Sequence, residues 1–242
     1  MILIVSDLDY FDKALILIKS IRLQHKDLKI HYHQINFNKK IEINNINYSY
    51  ENINLDQNKI NQYNNIKYSQ KQAYCANIRF QIINNLLSEN QYILYLDADS
   101  IIRKPINQLI DYCKNNDLVI NKCTKKKYYR KGFRLRTGVF SIRNTPIMLE
   151  FLQNLLNRIN LHKWFSDQDS IQDTFIEYVD NIKFKLINLN YIDWYYDDKS
   201  EIWVGKGENK FLNQKYLQLE NHINTLFTES VVGESKLTSF SN

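Results

Sequence analysis

The sequence has little of the material that makes long linkers, because its 242 residues include only 5 glycines and 2 prolines. A chain of this length can bury a core as one α/β domain. Hydrophobic residues make up 44% and aromatic residues 13%, which argues against a disordered scaffold. We therefore expect one domain over residues 1–230 and a polar tail at 231–242.

Cysteine and long apolar runs are scarce as well. Cys75, Cys113 and Cys123 form an odd set without the spacing of a metal site, which favours a reducing compartment. No run approaches the ~18 apolar residues of a membrane span. The chain opens on an apolar strand at Ile2–Val5 without the basic start and small-residue cleavage site of a signal peptide. We expect a cytoplasmic protein with no transmembrane segment.

Positive charge is present in moderate excess. A formal charge of +6 and a pI near 9.0 are compatible with an anionic partner such as a nucleotide sugar, a membrane surface or nucleic acid, and charge alone does not choose among them. The densest positive charge lies at residues 125–136, where it alternates with aromatic residues. This segment is interpreted either as a loop over the active site that contacts phosphate or acceptor, or as a solvated basic loop.

Strand and helix patterns alternate along the chain. The first three are a strand at Ile2–Val5, a helix over 11–23 and a strand over 29–35, which together predict a βαβ unit with parallel strands. Residues 36–68 are rich in asparagine and read as an irregular segment that we leave unassigned. Later patterns predict helices over 70–87, after Pro105 and over 145–159, strands at 118–120 and 137–142, and closing segments at 175–179 and 185–189.

The apolar run at residues 91–96 ends in two carboxylates, Asp97 and Asp99. Such a run predicts a buried strand of a parallel sheet, and ligands bind at the carboxyl edge of such sheets. Two neighbouring carboxylates are suited to Mg²⁺ or Mn²⁺ bridging to a diphosphate. The alternative is a strand that ends in a solvated acidic turn.

Further motifs follow at residues 137–140, 164–170 and 202–210. In this order, with the Asp-Ala-Asp segment, they make residues 1–212 resemble the glycosyltransferases of the GT-A fold. The resemblance is strongest to the retaining family that includes glycogenin and the lipopolysaccharide galactosyltransferases. It implies a single α/β, Rossmann-like domain with a mainly parallel central sheet flanked by helices.

The resemblance also implies roles for individual residues. Asp97 and Asp99 would bind Mn²⁺ or Mg²⁺ against the donor diphosphate, and Asp167, Gln168 and Asp169 would lie near the transferred sugar. The residues assigned to donor binding are Asp7 and Tyr10 at the nucleobase, Arg79, Ala98, Gly138, Gly207 and the phosphate-binding Lys210. One position departs, because Val204 stands where the family has a metal-binding histidine.

Simpler interpretations exist for several of these residues. Asp7 and Asp9 fit a helix cap, Arg79 a solvated helix position, and residues 167–169 an acidic helix start. Gly205 and Gly207 fit a plain turn. Trp194 and Trp203 fit the core better than a sugar platform, and the five histidines show no ligand spacing.

The resemblance implies transfer of a sugar from a nucleotide-sugar donor to a hydroxyl of a glycan, lipid-linked or protein acceptor. We expect the donor to be a UDP-sugar and the transfer to retain the anomeric configuration. We expect no nucleic-acid partner, and the sequence does not decide the oligomeric state. Val204 motivates one alternative, a non-catalytic nucleotide-sugar-binding module. The other is a haloacid-dehalogenase-like phosphatase, suggested by Asp7-Leu8-Asp9 and Asp197-Asp198 but opposed by Tyr10 and Phe11.

Overall fold

The computed structural model describes residues 1–55, 60–63, 66–122, 134–205 and 209–238. Its strands are β1 Ile2–Asp7, β2 Ile30–Ile35, β3 Ile46–Glu51, β4 Ile60–Tyr63, β5 Ile66–Ser69, β6 Tyr92–Leu96, β7 Ser100–Ile102, β8 Leu118–Lys122, β9 Leu135–Arg143, β10 Phe184–Ile187, β11 Ile192–Asp193 and β12 Ile202–Val204. Its helices are α1 Phe11–Gln24, α2 Gln70–Asn77, α3 Arg79–Leu87, α4 Asn107–Asn115, α5 Pro146–Arg158, α6 Ser166–Tyr178, α7 Asn209–Leu212 and α8 Gln214–Thr238, with a 3₁₀ turn at Leu8–Tyr10.

The central sheet has seven strands in the order β10-β8-β9-β6-β1-β2-β3. Its neighbours are parallel except at β9, which is antiparallel to both β6 and β8. The predicted mainly parallel α/β sheet is therefore confirmed. Because β1 and β6 are parallel neighbours, Asp7 at the end of β1 and Asp97 just after β6 lie at the same edge.

A small second sheet, β11-β12-β7, lies beside this edge. In it, β12 runs antiparallel to β7 and pairs Val204 with Ser100. The next residue along the chain, Gly205, donates its N–H to the carbonyl of Asp99 over 2.8 Å. The small sheet therefore brings the 202–210 motif to the acidic turn after β6.

Helices cover both faces of the central sheet, and the strands alternate between two apolar clusters. Leu3 and Val5 of β1 pack into one cluster, with side chains of α3, α5 and α6. Ile2 and Ile4 pack into the other, with side chains of α1 and α4. Each fully buried aliphatic side chain of this kind contributes roughly 1.5–3 kcal/mol to folding. Two-sided burial explains why the strand ends are held firmly enough to carry a site.

Three regions differ from the sequence-based expectation. Residues 36–68, left unassigned, contain β3, β4 and all of β5 except its last residue, and β4 pairs antiparallel with β5. β3 is the outer strand of the sheet and half exposed, so its polar residues interrupt any apolar run. The helix predicted over 70–87 is divided at Ile78 into α2 and α3, and residues 175–178, expected as a separate segment, belong to α6.

The C-terminal helix α8 packs along α1. Lys13 Nζ lies 2.6 Å from Glu220 Oε1, and Lys19 Nζ donates to Asn224 Oδ1 over 2.7 Å. α8 continues to Thr238, past the domain boundary expected at residue 230. Residues 239–242 lie outside the described part of the chain, so the separate polar tail stays a prediction. Among the described helices, none is long and apolar enough to cross a membrane.

Candidate active site

The two carboxylates of the Asp-Ala-Asp segment lie in a tight turn immediately after β6. Ser100 N donates to the carbonyl of Asp97 over 2.9 Å, and Asp97 N donates to the carbonyl of Gly138 over 2.8 Å. Ala98 between them is buried in the apolar cluster under α1. The buried side chain of Ala98 anchors the turn while both carboxylates remain at the sheet edge.

Arg79 holds the first carboxylate in place. Its Nη1 donates to Asp97 Oδ1 over 2.9 Å and to the carbonyl of Thr137 over 2.8 Å, and its Nη2 donates to Asp167 Oδ2 over 3.0 Å. Tyr95 donates its hydroxyl to the same Asp97 oxygen over 3.0 Å. Arg79 is only 5% exposed, so the interpretation as a solvated helix residue is wrong.

Asp167, predicted near the transferred sugar, is 2% exposed and bonded to protein groups. It accepts hydrogen bonds from Arg79 and from the Thr137 hydroxyl, and its own N–H donates to Asn77 Oδ1 over 2.9 Å. Gln168 and Asp169 follow it on the first turn of α6 and are half-buried. The acidic helix start is therefore confirmed, and Asp167 belongs to the support of the site.

Asn77 is a supporting residue that the sequence reasoning missed. Its Nδ2 donates to the carbonyls of Asn160, Leu161 and Lys163, and its Oδ1 accepts from Asp167 N. The side chain thus fixes the segment before α6 against α2. No local pattern identifies it, because its partners lie more than eighty residues away.

Lys210 holds the second carboxylate. Its Nζ lies 2.6 Å from Asp99 Oδ2 and donates to the Tyr10 hydroxyl over 2.8 Å, and the lysine is 2% exposed. Tyr216 of α8 donates its hydroxyl to the Asp99 carbonyl over 2.7 Å. Lys210 therefore joins Tyr10 to Asp99, and all three residues were predicted at the site.

Two glycines leave the space that the carboxylates occupy. A Cβ at Gly138 would lie 2.7 Å from Asp97 Oδ2, and a Cβ at Gly205 would lie 2.8 Å from Asp99 Oδ2. Both distances are shorter than contacts that real side chains make. Gly205 is thus more than a plain turn residue, while the predicted donor-binding Gly207 lies outside the described residues.

Burial raises the pKa of both carboxyl groups. Burial raises the pKa of Asp97 to about 6, against the opposing effect of Arg79 and with a further rise from Asp99. Burial also raises the pKa of Asp99, which Lys210 opposes. For Lys210, burial lowers the pKa, but Asp99 and Tyr10 outweigh it and the net shift is upward. Neighbouring carboxylates that repel each other favour a bound cation.

Val204 occupies the position where the resemblance implies a third metal ligand. Its pairing with Ser100 places it next to Asp99, and its side chain is buried in an apolar cluster. Within the described ranges, no three His, Cys, Asp or Glu side chains come together in a group that could hold a metal. Among the described residues, the turn offers the two carboxylates of Asp97 and Asp99 as oxygen donors.

The end of β1 lies next to the acidic turn at the same edge of the central sheet. Asp7 Oδ1 accepts from Tyr10 N over 3.1 Å, so Asp7 is a cap, but of the 3₁₀ turn at Leu8–Tyr10 and not of α1. Lys71 of α2 places its Nζ 2.9 Å from Asp7 Oδ2 and 2.7 Å from Asp9 Oδ2. The sequence reasoning missed Lys71, since a lysine in a lysine-rich chain carries no signal of its own.

The basic segment is described only at its end, because residues 123–133 lie outside the described ranges. Arg134 stacks over Phe165 at 5.2 Å and Arg136 over Trp194 at 3.9 Å, both measured to the ring centroid. Trp194 is 9% and Trp203 3% exposed, which confirms that both belong to the core.

The fold is similar to that of several solved glycosyltransferases. The bifunctional glycosyltransferase WbbM aligns with a TM-score of 0.59 at 13% identity over 93% of this chain and 51% of WbbM. The galactosyltransferase LgtC, solved with donor and acceptor sugar analogs, aligns with a TM-score of 0.53 at 14% identity over 91% of this chain and 95% of LgtC. This chain has the glycosyltransferase fold.

The glycosyltransferase GlyE of Streptococcus pneumoniae shares it too, with a TM-score of 0.57 at 15% identity over 95% of this chain and 63% of GlyE. The chain thus spans about half of WbbM and less than two thirds of GlyE. No protein-family model matches the sequence, and no curated protein does. The expected likeness to the GT-A glycosyltransferases is confirmed at the level of fold.

Proposed function

We propose that this protein is a glycosyltransferase that moves a sugar from a UDP-sugar donor to an acceptor hydroxyl, with a divalent cation at Asp97 and Asp99. The observation that carries the proposal is the convergence of Asp97, Asp99 and Lys210 at one sheet edge of a glycosyltransferase fold. Retention of the anomeric configuration is part of the proposal and rests on the likeness to the retaining family.

The two carboxylates fit Mg²⁺ or Mn²⁺. Both are hard oxygen donors in one turn, and because Gly138 and Gly205 have no Cβ, no side chain of these two residues crowds the Oδ2 atoms. Mg²⁺ commonly binds through one or two carboxylates, with water and substrate phosphates in the other positions, so Val204 does not exclude it. When bound, the ion would supply positive charge against the leaving diphosphate.

Lys210 is proposed to act on the same leaving group. Its ammonium pairs with Asp99 and donates to Tyr10, and a diphosphate at this edge would offer it a stronger anionic partner. Breaking the bond to the anomeric carbon builds negative charge on the phosphate, which a fixed ammonium stabilises in the transition state. Arg79 holds Asp97 at the orientation that this requires.

Gln168 and Asp169 are proposed to bind the hydroxyls of the sugar. They follow the buried Asp167 on the first turn of α6, which Asn77 fixes against α2. The positive charge that develops on the sugar ring as the bond breaks is stabilised by a nearby carboxylate or amide. The acceptor is proposed to be a hydroxyl of a glycan, a lipid-linked sugar or a protein.

The two alternatives have less support. A phosphatase of the haloacid-dehalogenase type would need Asp7 as a free nucleophile, but Asp7 caps a turn and pairs with Lys71. Of its late acidic pair, the Asp198 carboxylate pairs with Arg103, and the Asp197 carboxylate accepts a hydrogen bond from Lys199 N. A non-catalytic binding module has one observation in its favour, the valine beside Asp99.

A donor-hydrolysis assay separates the three functions. The purified protein is incubated with UDP-sugars in Mn²⁺, in Mg²⁺ and in excess chelator, and release of UDP is followed. Metal-dependent release supports the transferase. Release of phosphate from a small monoester supports the phosphatase, and nucleotide binding without turnover supports the binding module. The configuration of the product then tests retention.

A further inference from the structure

Lys71 is a fixed ammonium at the sheet edge that the proposed mechanism does not use. Its side chain is 15% exposed and its Nζ contacts Asp7 Oδ2 at 2.9 Å and Asp9 Oδ2 at 2.7 Å. A capping box sets the start of α2, since Ser69 Oγ accepts from Gln72 N and Gln72 Oε1 accepts from Ser69 N. Lys71 is therefore held by its helix as well as by its ion pairs.

The contacts arrange these residues in a row along the edge. Lys210 donates to the Tyr10 hydroxyl, Tyr10 N donates to Asp7 Oδ1, and Lys71 contacts the other oxygen of Asp7. The Asp7 carboxylate thus lies between Tyr10 and Lys71. A nucleotide whose phosphates reach Lys210 would extend past Tyr10, which is 37% exposed, with its base toward Asp7 and then Lys71.

Asp7 and Lys71, at the far end of the row from Lys210, have opposite hydrogen-bonding chemistry. A carboxylate only accepts and an ammonium only donates, and Lys71 has three N–H groups for two carboxylate partners. Uracil presents a donor at N3 and an acceptor at O4, the position farther from the ribose. Cytosine presents the reverse, an acceptor at N3 and an amino donor at C4. The order Asp7 then Lys71 therefore complements uracil.

We propose that Lys71 is a specificity-determining residue that, together with Asp7, selects a uracil nucleotide over a cytosine nucleotide. The inference rests on the proposed function, because it takes the phosphates to lie at Lys210. Asp7 accepts the N3 proton and Lys71 donates to O4. Asp9, which is largely exposed, holds the second N–H of the lysine.

The test is a calorimetric titration of UDP, CDP and GDP in Mn²⁺ against the wild type and two variants. The wild type is expected to bind UDP at least about tenfold more tightly than CDP, the scale of a hydrogen bond to a charged group. Lys71→Met is expected to weaken the binding of UDP about tenfold and to leave the binding of CDP nearly unchanged. Asp7→Asn keeps an acceptor for Tyr10 N and adds an amide donor for cytosine N3, so the preference for UDP should fall.

Lys114→Met is the matched control, since this lysine lies in an exposed ion pair on α4. It should keep the wild-type ratio of the affinities for UDP and CDP. If Lys71→Met also keeps that ratio, or if GDP binds more tightly than UDP, the inference is overturned. Equal binding of UDP and CDP to the wild type would do the same and leave the proposed function standing. No nucleotide binding at all would overturn both. If Lys71→Met does not fold, the wild type and Asp7→Asn still decide.

Discussion

Asp97 and Asp99 are neighbours in one turn, but the rest of the molecule holds them in different ways. Asp97 accepts from Arg79 and Tyr95, and Arg79 continues to Thr137 and to the buried Asp167. Among the described residues, the side chain of Asp99 is held by the ammonium of Lys210. The first arrangement is a network across α3, β9 and α6, whereas the second is one flexible side chain from α7.

The two carboxylates therefore differ in how easily their cationic partner can be replaced. The guanidinium of Arg79 is planar and binds several partners at once, so it cannot leave without exposing buried charge. The ammonium of Lys210 sits on a flexible stem, and another cation can take its place at Asp99. We infer that the contacts of Asp97 keep the geometry of the turn, and that the proposed cation and diphosphate would rearrange the contacts of Asp99.

The largest effect is expected when the Arg79 network around Asp97 is removed. Arg79→Met leaves Asp167, 2% exposed, without its cation, and should lower the free energy of unfolding by about 3–5 kcal/mol. Urea unfolding followed by circular dichroism measures the change. The control is Arg158→Met, which removes an exposed pair with Glu177 and should cost less than about 1 kcal/mol. Equal losses in the two variants would contradict the network.

The next largest effect is expected from a change at Asp99. Asp99→Asn keeps the shape of the side chain and removes its charge, so the fold should persist while metal-dependent release of UDP falls about hundredfold or more. The assay of donor hydrolysis measures it, beside a circular dichroism spectrum. Asp198→Asn, at an exposed carboxylate, serves as control and should retain turnover. Near-normal turnover in Asp99→Asn would count against a cation at this turn.

The smallest expected effect comes from adding a possible metal ligand near the turn. Val204→His places an imidazole opposite Ser100, one residue from Asp99, and should raise the affinity for Mn²⁺ in the absence of nucleotide about tenfold, the scale on which single groups tune metal sites. Electron paramagnetic resonance of free Mn²⁺ measures it without any turnover. Val204→Leu adds no donor and should leave the affinity unchanged. The same affinity in both variants would place residue 204 away from the ion.

The acidic turn could be predicted from sequence because its signal is local. An apolar run followed by Asp97 and Asp99 fixes both the strand and the edge at which it ends. The resemblance added Lys210 and Gly138, and both contact or flank the carboxylates. The site residues that it assigned to sugar and base binding stay predictions.

The rest depended on contacts between distant segments. Asn77, Lys71 and the bond from Arg79 to Asp167 join parts of the chain that are sixty to ninety residues apart. Asparagine and lysine are common throughout the sequence, so neither stands out. β3 was missed because an outer strand exposes half of its side chains and carries no continuous apolar run.

The central claim is that Asp97 and Asp99 together bind a divalent cation against a nucleotide diphosphate. A crystal grown with UDP and Mn²⁺, with diffraction collected at the manganese absorption edge, tests it most directly. We expect one anomalous peak within coordination distance of both carboxylates and of the diphosphate, with Lys210 Nζ moved from Asp99 to a phosphate oxygen. A bound nucleotide with no peak at the turn, and Lys210 still paired with Asp99, would contradict the account.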